Sequence, residues 1–285
     1  MKYSQYLLDE YSALVLYKEL ATQEKNPHNK EVLTKLAAQE QEHYIFWQKF
    51  IPGHKASVSP FFLFAFRLMR QLLGLTFTIK LLERHEHEII EEYKNVAAEL
   101  PGEEKIQLEK IIQDEKEHED FFASQIQETV IKYIGFIALG LADAIVEITG
   151  THAGFLGVTN STLFAGISGL IVGFSAAISM GSAAYLQAKQ DLSRSSWVSA
   201  IATGVSYIIS AVMLALPYFF TRNMAHAFIF STAIGILLIA LLTFYSVVVF
   251  ERRFLREFLE TVFLMLGTAL ATFFLGSFLR KIFHL

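Results

Sequence analysis

From Ile131 onward the chain consists of five apolar stretches, at about 131–150, 162–187, 197–219, 225–250 and 258–280. Each is near or above the roughly 20 residues that a helix needs to cross a bilayer, so five membrane spans are expected. The connections set a direction. KQDLSR, between the second and third stretches, holds Lys189 and Arg194, and ERRFLRE, between the fourth and fifth, holds Arg252, Arg253 and Arg256. The connection THAGFLGVTNST has no Lys or Arg, and the one before the fourth stretch has only Arg222. Basic connections stay on the cytoplasmic side. The residues before Ile131 and both basic connections are therefore expected in the cytoplasm and the C-terminus outside, with Arg280-Lys281 a mild exception. This predicts a multi-pass protein of the cell (inner) membrane.

The front of the chain is a different material. Residues 1–132 carry six more acids than bases, whereas residues 133–285 hold only 14 charged side chains, with bases in excess by two. The net charge of −4 hides this contrast. No basic stripe crosses the acidic half, which argues against nucleic acid as a partner. Cysteine is absent, which excludes disulfides, thiolate zinc sites and iron–sulfur clusters. MKYSQYLLDEY lacks the basic-then-apolar run of a secretory signal.

Four helices are expected in this acidic half. Leu7, Tyr11, Leu14, Tyr17 and Leu20 recur at helical spacing over 2–24. Asn26-Pro27 ends that helix and opens a second, reaching Phe50, with an N-cap and a first-turn proline. Ser59-Pro60 opens a third over 60–98, bent near Gly74. Its front part is apolar, but Arg67, Arg70 and Lys80 argue against a span, since each central Arg or Lys costs about 2.5–3.5 kcal/mol. It reads as a bridge between the acidic half and the membrane surface. Leu100-Pro101-Gly102 is the turn to a fourth helix, ending near Lys132.

Two Glu-x-x-His motifs sit on the second and fourth helices: Glu40-Gln41-Glu42-His43 and Glu115-Lys116-Glu117-His118. Three-residue spacing puts the carboxylate and the imidazole on one helix face, about a turn apart. Two such helices plus glutamates from two more make a di-iron or di-manganese site in a four-helix bundle. The third helix offers Glu83 and Glu86. The first offers Glu10, Glu19 or Glu24, with Glu10 preferred for its place in the central turns and Glu19 second. Crowded carboxylates repel one another and raise their own pKa values. Two divalent ions relieve that, and a mixed carboxylate/imidazole set suits iron or Mn(II) better than Ca or Mg. Each ligating His is expected to donate its other ring N–H to a neighbouring group. Glu42, His85, His87, Glu117 and Glu119 read as surface or supporting residues, and His28 and His54 as loop residues with no assigned role.

In the apolar half, ionisable residues inside a span are functional suspects. Asp143 and Glu147 lie one turn apart near the middle of the first stretch, and a structural hydrogen-bond pair is the alternative reading. Glycines 135, 140, 150, 154 and 157 permit close helix approach or a break. Met180, in the second stretch, offers a soft thioether for Fe(II) or plain packing.

On Glu10 with Tyr17, Glu40-x-x-His43, Glu83-x-x-Glu86 and Glu115-x-x-His118, residues 1–130 resemble the ferritin-like/rubrerythrin superfamily. That resemblance implies that Glu10, Glu40, His43, Glu83, Glu86, Glu115 and His118 bind two ions of iron or manganese. It also implies ferroxidase or peroxide chemistry. On GLADAIVEITG, GLIVGFSAAISMGSAAYL and GVSYIISAVMLALPY, residues 131–285 resemble the vacuolar iron transporter family. That implies a homodimer exchanging Fe(II) or Mn(II) for protons through Asp143, Glu147 and Met180. Two departures stand out. Ala183-Ala184 occupy the place of a family Glu, and no metal-binding helices separate the second and third spans. The expectation is an all-α chain: a ferritin-like four-helix bundle followed by a five-helix transmembrane domain. Its expected function is export of Fe(II), with Mn(II) the alternative cargo, by proton antiport after capture in the bundle. A membrane-anchored di-iron ferroxidase or peroxide scavenger is the alternative, and a metal sensor gating the membrane half is a third reading.

Overall fold

The computed structural model describes residues 2–117, 129–191, 194–250 and 252–284, and their side chains except those of 83–88 and 129–130. Every element among the described residues is helical. The chain divides into two compact units, Met1–Glu128 and Thr129–Leu285.

The first unit contains α1 (Lys2–Gln23), α2 (Pro27–Phe50), α3 (Pro60–Leu73), α4 (Leu75–Glu99) and α5 (Gly102–Glu117). The Asn26 side chain caps α2 by accepting from the backbone N–H groups of His28 and Asn29, and Pro27 fills the first turn. The expected single helix over 60–98 is instead two. Gly74 adopts φ 90° between α3 and α4, a conformation open to glycine and strained for other residues. α3 is held onto α1 by two ion pairs: Arg67 Nε and Nη2 reach Glu19 at 2.7 and 3.0 Å, and Arg70 Nη2 reaches Glu24 at 2.6 Å.

Two apolar clusters fill this unit. One joins Leu14, Tyr17 and Leu20 of α1 to Leu33 and Leu36 of α2, with Phe66 of α3 and Ile79 of α4. The other joins Tyr6 and Leu7 of α1 to Phe46 and Trp47 of α2, Ile90 and Tyr93 of α4, and Leu108, Ile111 and Ile112 of α5. The buried residues between the clusters along α1 and α2 are Glu10, Glu40 and His43. Burial on both sides thus forces a polar layer into the middle of an apolar core.

The second unit contains α6 (Thr129–Val158), α7 (Thr162–Ala188), α8 (Ser196–Phe220), α9 (Met224–Phe250) and α10 (Phe254–Phe283). Helices α7 to α10 are long and apolar enough to cross a membrane. α6 is comparably apolar but carries Lys132, Asp143 and Glu147. Large apolar side chains such as Phe174, Phe220, Phe230, Phe263 and Phe274 face outward, the reverse of a water-soluble surface.

Small residues set the packing of this unit. The buried stripe of α7 runs Ala165, Gly166, Gly169, Gly173, Ala177, Gly181, Ala184 and Ala188, and it lies along α8, where a Cβ on Gly173 would come within 2.5 Å of Ala211 Cβ. α6 meets α10 in the same way: a Cβ on Gly276 would lie 2.2 Å from the Gly154 carbonyl oxygen. Such stripes let backbones approach closely where the hydrophobic effect gives no drive. The helix of the first expected span thus continues beyond the expected limit near residue 150. Gly150, Gly154 and Gly157 continue α6 against Thr268, Thr272 and Ser277 of α10, so residues assigned to an outer connection are helical through Val158. α10 likewise begins at Phe254, placing Arg256 inside the helix rather than in the connection.

Candidate metal centre and membrane carboxylates

The polar layer of the first unit brings Glu10, Glu40, His43 and Glu115 together. One donor atom from each lies within 4.8 Å of all the others, and all four residues are buried. His43 is the hub. Its Nδ1 lies 2.8 Å from Glu115 Oε1, 3.4 Å from Glu10 Oε2 and 3.8 Å from Glu40 Oε2. Its Nε2 lies 3.5 Å from Asp114 Oδ2. One ring nitrogen thus points into the carboxylates while the other meets a supporting acid.

The electrostatics are those of a site short of positive charge. Glu40 is 1 % exposed; burial, then the Glu115 and Glu10 carboxylates, hold its carboxyl well above the usual range. Burial pushes His43 down, but hydrogen bonds to Asp114, Glu10 and Glu115 overcome that and leave its pKa well above the ordinary value. Three buried carboxylates against one imidazolium is a deficit that a divalent cation fills. The donor set therefore fits a metal site. Neutralising charge and fixing ion geometry is the chemistry a bound ion would supply.

A second ring of contacts was not legible from motif spacing. The Tyr93 hydroxyl donates to Glu10 Oε1 and accepts from Trp47 Nε1 at 3.1 Å. Burial, then the Glu10 charge, raises the Tyr93 pKa well above that of free tyrosine. Tyr93 lies seven residues after Glu86, two turns along one face, and that periodicity was the available signal. Among the first-helix candidates the structure separates Glu10 from the others. Glu19 accepts from Arg67, which lowers its pKa, and Glu24 binds Arg70. Glu42 is exposed and pairs with Lys110 at 3.3 Å, and exposed Glu117 accepts from Gln113. Glu83 and Glu86 lie on α4 between Ile79 and Ile90, and their side chains, with those of His85 and His87, fall outside the described ones. His118 and Glu119 lie outside the described residues altogether.

In the second unit, Asp143 and Glu147 follow each other by one turn on α6, both half-buried. The Tyr207 hydroxyl of α8 donates to Glu147. Met180 of α7 packs against a cluster that includes Ile145 and Ile148 of α6 and Tyr207 of α8. Ala184 is buried with Tyr133 and Phe136. His152, expected in a connection, is fully buried on α6. Its ring lies against that of Tyr218, tilted by 35° with centroids 4.1 Å apart, and its Nε2 sits where a Cβ on Gly169 would come within 2.3 Å.

Comparison with known families covers the first of these two sites and not the second. The rubrerythrin family model matches residues 7–126, and the VIT family model matches residues 189–277. The chain joins a segment similar to rubrerythrin to a segment similar to the VIT family. The buried Glu/His cluster falls wholly inside the rubrerythrin match. Asp143, Glu147, His152 and Met180 precede the residues matched to the VIT family. No curated protein and no solved structure gives a significant match. The VIT match together with four apolar helices suggests a multi-pass membrane protein and metal transport, and the rubrerythrin match suggests a metal-binding unit.

Proposed function

We propose that the chain is a homodimeric exporter that moves Fe(II), with Mn(II) as the alternative cargo, out of the cytoplasm in exchange for protons. The observation that carries this reading is the pairing, in one chain, of a buried Glu/His cluster with two carboxylates on a helix of the apolar half. A capture site alone requires no acids among membrane helices, where they are costly. Glu10, Glu40, His43 and Glu115, with Glu83, Glu86 and His118, hold two ions in the rubrerythrin-like half. α6 is the first of five spans, and the rubrerythrin-like half lies in the cytoplasm, consistent with the basic connections.

Asp143 and Glu147 are the exchange groups, since one carboxylate can hold a proton or share a metal. Tyr207 orients Glu147 by donating to it. Both acids are half-buried within one copy, which fits a path completed by the same helix of a second copy, with Met180 adding a soft ligand. In proteoliposomes, Asp143→Ala is expected to abolish metal flux while leaving metal binding at the Glu/His cluster intact. Unchanged flux would remove Asp143 from the path. Replacing Glu40 and His43 with Ala is expected to slow flux at low metal concentration.

A second reading, a membrane-anchored di-iron ferroxidase or peroxide scavenger, is favoured by one observation: Tyr93 bridges Glu10 to Trp47, an oxidisable pair beside the carboxylates. Stopped-flow mixing with Fe(II) and O₂ or peroxide separates the two. Repeated turnover without transport supports the enzyme.

A further inference from the structure

Trp47 is fully buried in the first unit, and two tyrosines lie against its ring. The ring centroid of Tyr93 is 5.0 Å away and that of Tyr6 4.9 Å, and the two tyrosine rings meet edge-to-face at 5.0 Å. Packing alone would be served by rings that carry no polar atom. What sets these three apart is where their polar atoms lead. On the side of the Glu/His cluster, Trp47 Nε1 donates to the Tyr93 hydroxyl at 3.1 Å, and that hydroxyl donates to Glu10. On the other side, the Tyr6 hydroxyl donates to Glu92 Oε2 at 2.6 Å. Glu92 is exposed. Ring contacts and hydrogen bonds thus run from Glu10, inside the metal centre, to a carboxylate at the surface.

Indole and phenol are the aromatic side chains that give up an electron most readily. Oxidation makes a phenol strongly acidic, so a tyrosine donates an electron best where a positioned base takes its proton. Tyr6 has that base in Glu92, which can hold the proton until the electron returns. Trp47 can lose an electron and keep its N–H bound to Tyr93. Tyr93 is the poorer donor, because its oxygen already accepts the indole N–H. A site that holds Fe(II) gathers oxidising equivalents whenever peroxide reaches it, and the chain has no cysteine to absorb them.

We propose that Trp47 and Tyr6 form a one-electron relay from a small thiol reductant at the Glu92 surface to the Glu/His cluster, where hydrogen peroxide is the oxidant. Trp47 first loses an electron toward the cluster across the Tyr93–Glu10 hydrogen bonds. Tyr6 then refills Trp47 with an electron and passes its phenolic proton to Glu92. A thiol gives Tyr6 an electron while Glu92 returns the proton, and the thiol's own proton goes to water. Two passes reduce one hydrogen peroxide to two waters, with two protons drawn from solvent, and join two thiols as a disulfide. The relay rests on the metal reading of the cluster and holds for the exporter and the enzyme alike.

The outer half is tested on the metal-free full chain in nanodiscs, in a Trp197→Phe background that leaves Trp47 as the only tryptophan. A laser pulse photoionises Trp47, and transient absorption follows the indole radical and any tyrosine phenoxyl radical. The indole signal is expected to decay as a phenoxyl signal rises. Tyr6→Phe, which keeps the ring, should abolish that rise. Glu92→Gln, at the surface, should slow it by about a hundredfold, the lower end of what a positioned base contributes. Tyr3→Phe should leave it unchanged, although the Tyr3 ring also stacks on Trp47 at 5.6 Å. Unaltered Trp47 emission establishes that each variant is folded. A rise that survives Tyr6→Phe, or that Tyr3→Phe abolishes, overturns the exit through Tyr6, and indole decay without any phenoxyl overturns the relay. The inner half is read with Fe(II) bound. After hydrogen peroxide is added, freeze-quenched samples should show a tyrosyl radical by electron paramagnetic resonance, lost in Tyr6→Phe at equal iron content. No such radical in a chain that holds iron overturns the link to the cluster. A chain that binds no iron refutes the metal reading itself, and the link falls with it.

Discussion

Replacing Glu40 with Gln should make the metal-free protein more stable and the metal-loaded protein less so. Gln keeps the shape of the side chain and removes its charge. Glu40 shares a space with Glu10 and Glu115 in which donor atoms lie within 4.8 Å. At an effective dielectric of about 20, each such like-charge pair costs about 3.5 kcal/mol. Attraction to protonated His43 at 3.8 Å returns about 4.4 kcal/mol on the same scale. The ionised Glu40 therefore carries a net penalty on the order of 2–3 kcal/mol before burial is counted. That corresponds to a rise on the order of 10 °C in the unfolding midpoint of the metal-free variant.

The pH dependence has a defined sign. The folded carboxyl sits well above its unfolded value, so its contribution is fully present below the ordinary carboxylate range and is lost as pH rises through the folded value. The advantage of Glu40→Gln should open as pH increases and close on acidification. With Fe(II) or Mn(II) at about 100 times the dissociation constant, the parent chain gains about 2.7 kcal/mol, and the variant, short of one ligand, gains less. Thermal unfolding in nanodiscs can follow buried Trp47 in a Trp197→Phe background, with chelator and with metal. A variant that is destabilised equally in both conditions at pH 8 would refute the electrostatic argument.

Other expectations follow from single contacts. Tyr93→Phe removes the donor to Glu10 and the acceptor of Trp47 Nε1, and should cost roughly 1.5–3 kcal/mol, read in the same unfolding assay. Gly276→Ala puts a methyl against the Gly154 carbonyl oxygen, whereas Gly267→Ala meets nothing within 4 Å. The first should destabilise the second unit by about 1–3 kcal/mol in detergent unfolding and the second should not. Arg67→Ala should return Glu19 to the ordinary carboxylate range. The parent pair's stabilisation, present above that range and lost as pH falls through the lowered value, would then be missing from the acid-unfolding profile. It is worth at most about 1 kcal/mol because Arg67 is half-exposed. Tyr207→Phe should slow metal flux by about tenfold, the equivalent of one hydrogen bond to a charged group at roughly 1.5 kcal/mol, without altering binding to the Glu/His cluster.

Much of the site could be read from helical spacing because its donors repeat at whole turns. Glu40 and His43 share a face by sequence alone, and Asn26-Pro27 marks where their helix begins. What spacing does not carry is the partner across the gap. Asp114 behind His43 and Tyr93 between Glu10 and Trp47 depend on how α2, α4 and α5 face one another. Glu10 was preferred over Glu19 for its place in the central turns, but the engagement of Glu19 by Arg67 lay beyond what spacing carries. Glycine was the main source of error, because it has two opposite uses. At Gly74 it permits a positive φ and splits a helix that the pattern read as bent. At Gly150, Gly154 and Gly157 it permits close approach to α10, so a helix continues where composition suggested a loop. His152 was hidden by that same misreading.

The central claim is that one chain carries metal at two places, the Glu/His cluster and the carboxylates of α6. Anomalous scattering at the iron and manganese edges, from crystals of the full chain soaked in Fe(II) or Mn(II), tests both at once. The account predicts peaks among Glu10, Glu40, His43 and Glu115 and a further peak beside Asp143 and Glu147, the latter lost in Asp143→Ala. Peaks confined to exposed acids, with none at either place, would contradict it.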